Sequence, residues 1–305
     1  MDFCKQKTLR GECFFEGKGL HTGKVSHITI KPAPADTGIL FHRTDLGPDA
    51  FVQALSENVS STARSTTISC GETSVVTIEH LMSALTGFGI DNALIEIDNV
   101  EVPILDGSAR FYSEAFGKDG LLEQDAPRKL LGVREEILFS DEESGSWIKV
   151  SPSTEARFSV TVDFGSKVLG VQEASWTPED DYAREIAPCR TFVFFHELEF
   201  LFNHNLIKGG DVDNAIVIVE HPVSGEQLSR LSSLFGVPSL SITEGYLDNL
   251  SLHFRNECGR HKLLDLIGDI RLCGGFLCAK VEAFKPGHAI NTAVARKIRE
   301  KLVYL

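Results

Sequence analysis

The segment HKLLDLIGDI, residues 261–270, sets His261, Asp265 and Asp269 four positions apart. Helical spacing puts all three on one face. Leu263, Leu264, Leu266, Ile267 and Ile270 make the rest of the segment apolar nearly all the way round, the pattern of a buried helix. Two buried carboxylates call for a positive charge among them. A His and an Asp at i and i+4 can chelate one ion. Zn2+ takes imidazole nitrogen and carboxylate oxygen readily, and a catalytic zinc usually has three protein ligands and one open position. The competing reading is a half-exposed face whose acids pair with Lys262 or Arg260, since charge near a helix is usually solvated.

A third ligand must come from elsewhere. His27 and His42 lie in strand-like runs, and His196, His204, His221 and His253 lie among charges or turns, where solvation is the default. His21 sits in a Gly-rich loop and is ambiguous. His80 follows Glu79 at the start of TIEHLMSALTG, near the positive end of a helix dipole. Glu79 there is either a helix-start carboxylate or the base beside a metal-binding His, the arrangement of metal hydrolases. His288, in KPGHAIN, enters a helix after a Pro-Gly turn. It is either a proton donor or a cap.

The elements that would carry these residues follow from pattern. Residues 27–33 and 38–43 read as strands. TSVVTIEHLMSALTGFG (73–89) begins as a strand and becomes a helix, with Thr77 as N-cap and Gly87 and Gly89 as stops. A strand at 92–98 and a helix at 108–120 follow. Residues 123–129, polar with a Pro, mark a domain boundary, giving domains 1–126 and 127–305. Beyond it come a hairpin across DEESG, an alternating strand from ARFSVTVDFG, a helix at 194–206, a buried strand at 214–222, the helix at about 254–272, a strand ending in a Pro-Gly loop, and a helix at about 289–302. No internal repeat is visible. Strands and helices do not alternate in long β-α-β units, so the class is α+β.

Composition excludes several functions. A formal charge of −13 over 305 residues disfavours nucleic acid and anionic membrane surfaces as partners. No apolar run approaches the ~20 residues needed to span a bilayer, so stable membrane insertion is not expected. Seven cysteines at irregular spacing, with no C-x-x-C, suit a reducing compartment, and MDFCKQKTLR has no apolar core of a leader, so a cytoplasmic protein is expected. GLHTGK is one residue short of a P-loop, HELEF lacks the second His of H-E-x-x-H, and no G-x-S-x-G occurs.

TIEHLMSALTGFGIDNALIEIDNVEVPILDGSA (77–109), HKLLDLIGDI (261–270) and KPGHAIN (285–291), in this order, resemble the UDP-3-O-acyl-N-acetylglucosamine deacetylase family, whose enzymes act in lipid A synthesis. GKGLHTGK (17–24), CRTF (189–192) and GGDVDNAIV (209–217) extend the likeness, which covers about residues 5–297. The resemblance implies zinc ligands at His80, His261 and Asp265, with Fe2+ also compatible with those donors. It implies Glu79 as general base, His288 as proton donor and charge stabiliser, Asp269 as its orienting partner and Thr191 as an oxyanion stabiliser. Lys262 then corresponds to a substrate-contacting lysine and Phe192 to a residue lining the substrate site. The implied fold is two domains of similar β-α-α-β sandwich topology with the site between them. An insert at about 193–222 would form an acyl tunnel. The implied partner is an acylated UDP-sugar, and a monomer is the expected state. A zinc amidohydrolase with a different acylated substrate and a metal-stabilised binding module are the rival functions. A structural zinc site normally has four protein ligands, often with Cys, which disfavours the second rival.

Overall fold

A computed structural model describes residues 5–203 and 208–305. The expected helical stretch 194–206 therefore runs past the described residues at its end, and His204 lies outside them. The fold is mixed α+β. Its helices are α1 (Glu79–Gly87), α2 (Arg110–Asp119), α3 (Tyr182–Glu185), α4 (Phe195–Asn203), α5 (Gly225–Phe235), α6 (Glu257–Ile270) and α7 (His288–Lys301).

The two similar halves that the resemblance implies appear in the topology, although no repeat is visible in the residues themselves. One five-stranded sheet runs in the order Cys13–Lys18, Val25–Pro32, Ala93–Ile97, Ile39–Arg43, Phe51–Gln53. A second runs Ile137–Asp141, Ser146–Pro152, Ala279–Phe284, Arg157–Asp163, Val171–Trp176. Both pair antiparallel, antiparallel, parallel, antiparallel along that order. In each, one helix precedes the central strand and one follows it: α1 and α2 around Ala93–Ile97, α6 and α7 around Ala279–Phe284. So α1 and α6 are equivalent positions of the two halves. Sheet strands alternate buried and accessible residues, as in Val25–Pro32 and Arg157–Asp163, which is the period-two pattern of a sheet with one covered face. One apolar core joins inward residues of both sheets, such as Ile30, Phe41, Val150 and Val160, to Leu81, Leu85, Leu264 and Ile267 of the two helices.

Both halves are interrupted at the same place, before the first helix of the pair. The first half inserts a three-stranded sheet, Val59–Ser61, Thr67–Cys70 and Thr73–Val75. The second inserts a larger unit: Phe192–Phe194, Ile216–Ile218, Tyr246–Leu247 and Ile242–Thr243 form one sheet in that order. With α4 and α5 it has a small core of its own, including Phe195, Leu198, Val217 and Leu231. This unit extends past the expected limit at residue 222. It contains α5, which the sequence reading omits although Ser224 and Gln227 form a capping box and Gly236 ends the helix in the left-handed region.

The polar residues 123–129 are mostly strand: Leu121–Pro127 pairs antiparallel with Lys5–Leu9, and Gln124 donates to the Ala33 carbonyl and accepts from Asn92. Polar side chains suit a two-stranded ribbon that has partners for them. Thr77 is not an N-cap. Ile78 occupies that position without a side-chain cap, and the Thr77 hydroxyl donates to Glu101 instead.

The helices α1 and α6 meet at Gly268. A Cβ there would collide with the Glu79 carbonyl and lie 3.1 Å from the Ser83 amide. Both atoms are backbone and cannot step aside. Gly268→Ala is therefore expected to destabilise the chain by ~1–3 kcal/mol through overpacking. A lower urea midpoint at unchanged m would report it, and an unchanged midpoint would mean that the helices separate freely.

Candidate active site

The facing helices bring three donors to one point. His80 is the second residue of α1, and His261 and Asp265 stand one turn apart on α6; all three are buried. One ligand atom from each lies within 4.8 Å of the others. The two imidazoles meet edge to face at 5.0 Å between centroids. His80 Nε2 is 3.6 Å and His261 Nε2 3.5 Å from the same oxygen, Asp265 Oδ1. Those distances exceed hydrogen bonds. Asp265 Oδ1 is buried with no hydrogen-bond partner. A buried carboxylate oxygen left unpartnered between two imidazole nitrogens is the arrangement a divalent cation satisfies.

Protonation agrees with that fit. His261 Nδ1 lies 3.1 Å from the Cys189 carbonyl, which can only accept. The proton is therefore on Nδ1 and the lone pair on Nε2, facing Asp265. Burial lowers the His261 pKa to about 3, against the pull of Asp265, so the ring is neutral. Burial opposes the Asp265 charge, yet the Lys262 ammonium beside it helps hold its carboxyl well below the usual range. Lys262 Nζ sits 2.8 Å from Asp265 Oδ2. The Lys262 pairing considered from sequence thus occurs, but on a buried face and through the other oxygen. Arg260 turns instead to Glu185 and Asn256.

A second cluster adjoins the first. Glu79 and Asp269 are buried and His288 nearly so. His288 Nδ1 lies 2.9 Å from Asp269 Oδ2, and His288 Nε2 lies 3.9 Å from Glu79 Oε1. The Asp269 carboxylate also accepts from Thr66 Oγ1 (2.6 Å) and Asn291 Nδ2 (2.9 Å). The Thr66 amide donates to Glu79 Oε2 at 3.0 Å. Thr66, in the loop just before the strand Thr67–Cys70 of the first half's inserted sheet, therefore ties Glu79 of α1 to Asp269 of α6. Burial pushes the Glu79 carboxyl above its ordinary range, with His288 and His80 opposing. Burial alone would lower His288, but Asp269 and Glu79 raise it to about 9.

The remaining expected residues lie nearby. Thr191 and Phe192 border a cavity of about 170 Å3 with Leu20, His21, Val193 and Leu198. The Phe192 ring stands 6.3 Å from the His261 ring, and Lys262 Nζ lies 5.6 Å from the Phe192 ring centre. Phe164 adds an aromatic wall against Phe192 and Phe194. Thr191 is fixed by backbone bonds to Gly107 and Ile216. The neighbouring Arg190 forms a buried ion pair with Glu257 at 2.9 Å and also donates to the Ser251 carbonyl. That pair holds the Cys189–Thr191 segment, and with it the carbonyl that orients His261. Among the other histidines, His27 pairs with Asp98 at 2.7 Å and His42 stacks on Phe51, away from this cluster. Thr66, Asn291, Arg190 and Glu257 support the candidate site and are missed by the sequence reading. Their partners are 203, 22 and 67 positions away, a distance no local pattern reveals.

Residues 6–233 and 240–300 match the family model described as UDP-3-O-acyl N-acetylglycosamine deacetylase. The chain is 44% identical over 299 residues to a bifunctional enzyme LpxC/FabZ of Porphyromonas gingivalis, covering 98% of this chain and 65% of that protein. It is 41% identical to the bifunctional enzyme LpxC/FabZ of Bacteroides thetaiotaomicron over 299 residues, with the same coverage. It is 36% identical over 300 residues to the UDP-3-O-acyl-N-acetylglucosamine deacetylase of Teredinibacter turnerae, covering 97% of this chain and 91% of that one. The chain thus spans just under two thirds of the length of the bifunctional relatives.

Proposed function

The chain belongs to the UDP-3-O-acyl N-acetylglycosamine deacetylase family, and from that premise we propose that it removes the N-acetyl group of UDP-3-O-acyl-N-acetylglucosamine, releasing acetate, in lipid A biosynthesis. The observation that carries the reading is the unpartnered Asp265 oxygen between His80 and His261, with Glu79 and His288 facing each other alongside. His80, His261 and Asp265 would hold the metal, which we take to be Zn2+, with Fe2+ the alternative for the same donors. When bound, such an ion polarises the amide carbonyl and lowers the pKa of a bound water to about 7.

The chain's own residues supply the rest. Glu79 takes a proton from the attacking water, and its raised pKa makes it a stronger base than an exposed glutamate. The Thr191 hydroxyl donates to the carbonyl oxygen as charge gathers there. His288, held charged and oriented by Asp269, gives a proton from Nε2 to the departing amine. Lys262 meets the substrate's polar groups. Phe192 and the apolar wall of the inserted unit take its acyl chain, as the cavity beside Thr191 suggests.

The division into domains 1–126 and 127–305, a cytoplasmic setting and a monomeric state belong to the same proposal. Thiol usage supports the setting: six cysteines are free among the described residues. No helix among those residues is long and apolar enough to cross a membrane.

Metal analysis paired with an acetate-release assay on the UDP-sugar tests the reading. Chelation should abolish acetate release, and one equivalent of Zn2+ should restore it. Full activity in metal-free protein would overturn the role of the triad, and metal without acetate release would overturn the substrate.

A further inference from the structure

Glu101 is a fully buried carboxylate that the proposed chemistry does not use. Four donors converge on it. Oε1 accepts from the His21 amide and the Thr77 hydroxyl, each at 2.9 Å. Oε2 accepts from the Thr22 amide at 2.8 Å and the Thr22 hydroxyl at 2.7 Å. The carboxylate lies so close under Gly19 that a Cβ there would strike it. One residue thus holds two segments that are far apart in sequence.

Each segment leads into the site. Leu20 and His21 line the cavity beside Thr191 and Phe192, and the Leu20 carbonyl accepts from Gly209 of the inserted unit at 3.0 Å. On the other side, Thr77 stands two residues before Glu79. Its φ is +61°, in the left-handed region. A β-branched side chain is strained there and persists only where its surroundings hold it. The hydroxyl bond to Glu101 is such a hold. The next residue, Ile78, donates its amide to the Thr66 carbonyl, and Thr66 in turn donates to Glu79. The strained turn therefore sets the direction in which α1 presents Glu79 and His80.

We propose that Glu101 is a positioning residue that clasps the substrate-side loop Leu20–Lys24 to the turn aiming Glu79 and His80. The inference rests on the deacetylase reading for its kinetic consequences but not for its structural ones. Glu101→Gln breaks the clasp at constant size. Whichever way the amide turns, its NH2 group faces a backbone N–H, of His21 or of Thr22, which cannot accept.

The test uses Glu101→Gln, Thr77→Gly and the double variant in the intact chain. Glu101→Gln should lose about 10–100-fold in kcat, the scale of a misaimed group, raise KM and keep its metal. Glycine adopts φ +61° without strain. Thr77→Gly in the Glu101→Gln background should therefore recover kcat at least about 5-fold, the low end of relief at one strained residue, and leave KM raised because the loop is still loose. Independent losses with no recovery, or wild-type kinetics in Glu101→Gln, overturn the proposal. If Glu101→Gln does not fold, Thr77→Val carries the test, since it keeps the branched side chain and removes only the hydroxyl. Reduced kcat in Thr77→Val with near wild-type kcat in Thr77→Ser supports the clasp, and equal values overturn it. Amide exchange decides the structural half whatever the substrate: in the variant lacking the clasp, exchange should rise together at His21–Thr22 and at Ile78–Met82. A rise at one segment alone overturns the coupling. A wild-type chain that releases no acetate sinks the deacetylase reading and leaves the exchange result to decide this one.

Discussion

Glu79→Gln is expected to lose about 10²–10⁴-fold in kcat, the usual worth of a positioned acid or base, while binding its metal as the wild type does. The glutamine keeps the size of the side chain and an oxygen to accept from the Thr66 amide, which now contacts Glu79 Oε2. What it loses is the ability to take a proton. His288→Ala should fall by a similar factor and also keep the metal, because the proposed metal donors come from α1 and α6 whereas His288 opens α7. His80→Ala should behave differently. It deletes one of the three candidate ligands and leaves the buried Asp265 Oδ1 with a single imidazole neighbour. Metal affinity and activity should drop together. The measurement is metal content beside kcat for all three variants. Wild-type kcat in Glu79→Gln, or metal loss as the cause of failure in His288→Ala, would show that the roles are assigned wrongly.

The arrangement behind these proposed roles has a structural origin that the sequence reveals only in part. The His261–Asp265–Asp269 ladder is legible because helical periodicity alone aligns it on one face, and its apolar neighbours announce burial. Glu79 and His80 are legible as a pair at a helix start. What brings the two helices face to face is implied by the family resemblance and not by any local pattern of residues. It depends on a topological repeat whose halves share strand order and not residues, and on Gly268, which lets α6 approach the Glu79 carbonyl. Thr77 illustrates a second limit. Its type and position fit an N-cap, but a buried carboxylate 24 residues on competes for the same hydroxyl and takes it. Thr66 and Asn291 have ordinary local contexts, and only the folded chain places them on Asp269. The omission of α5 is of another kind. Its S-x-x-Q box and closing glycine are visible in the sequence, so a closer reading of capping chemistry reaches it.

Asp269→Asn should move the alkaline limb of the kcat–pH profile to lower pH and reduce kcat at pH 8 by about 10²–10⁴-fold, the range for disabling a general acid through its orienting partner. The sign follows from which form works. His288 donates a proton only while charged, so activity is lost as pH rises through its pKa. Burial favours the neutral ring; Asp269 and Glu79 outweigh burial and hold the value at about 9. Asp269 is the larger of the two opposing influences. Without its charge the His288 pKa falls, and the donor is spent at a lower pH. Asparagine isolates that effect. With its oxygen toward His288 Nδ1 it keeps the 2.9 Å contact, and its nitrogen then faces the Thr66 hydroxyl, which rotates to accept. The acid limb should shift the same way, because Asp269 also raises the Glu79 carboxyl, so removing its charge lets Glu79 ionise earlier. A cation held by His80, His261 and Asp265 would lower both groups. The difference between variant and wild type, each measured with metal bound, keeps its direction. An alkaline limb that stays in place in Asp269→Asn would mean that His288 is not the group whose deprotonation ends activity.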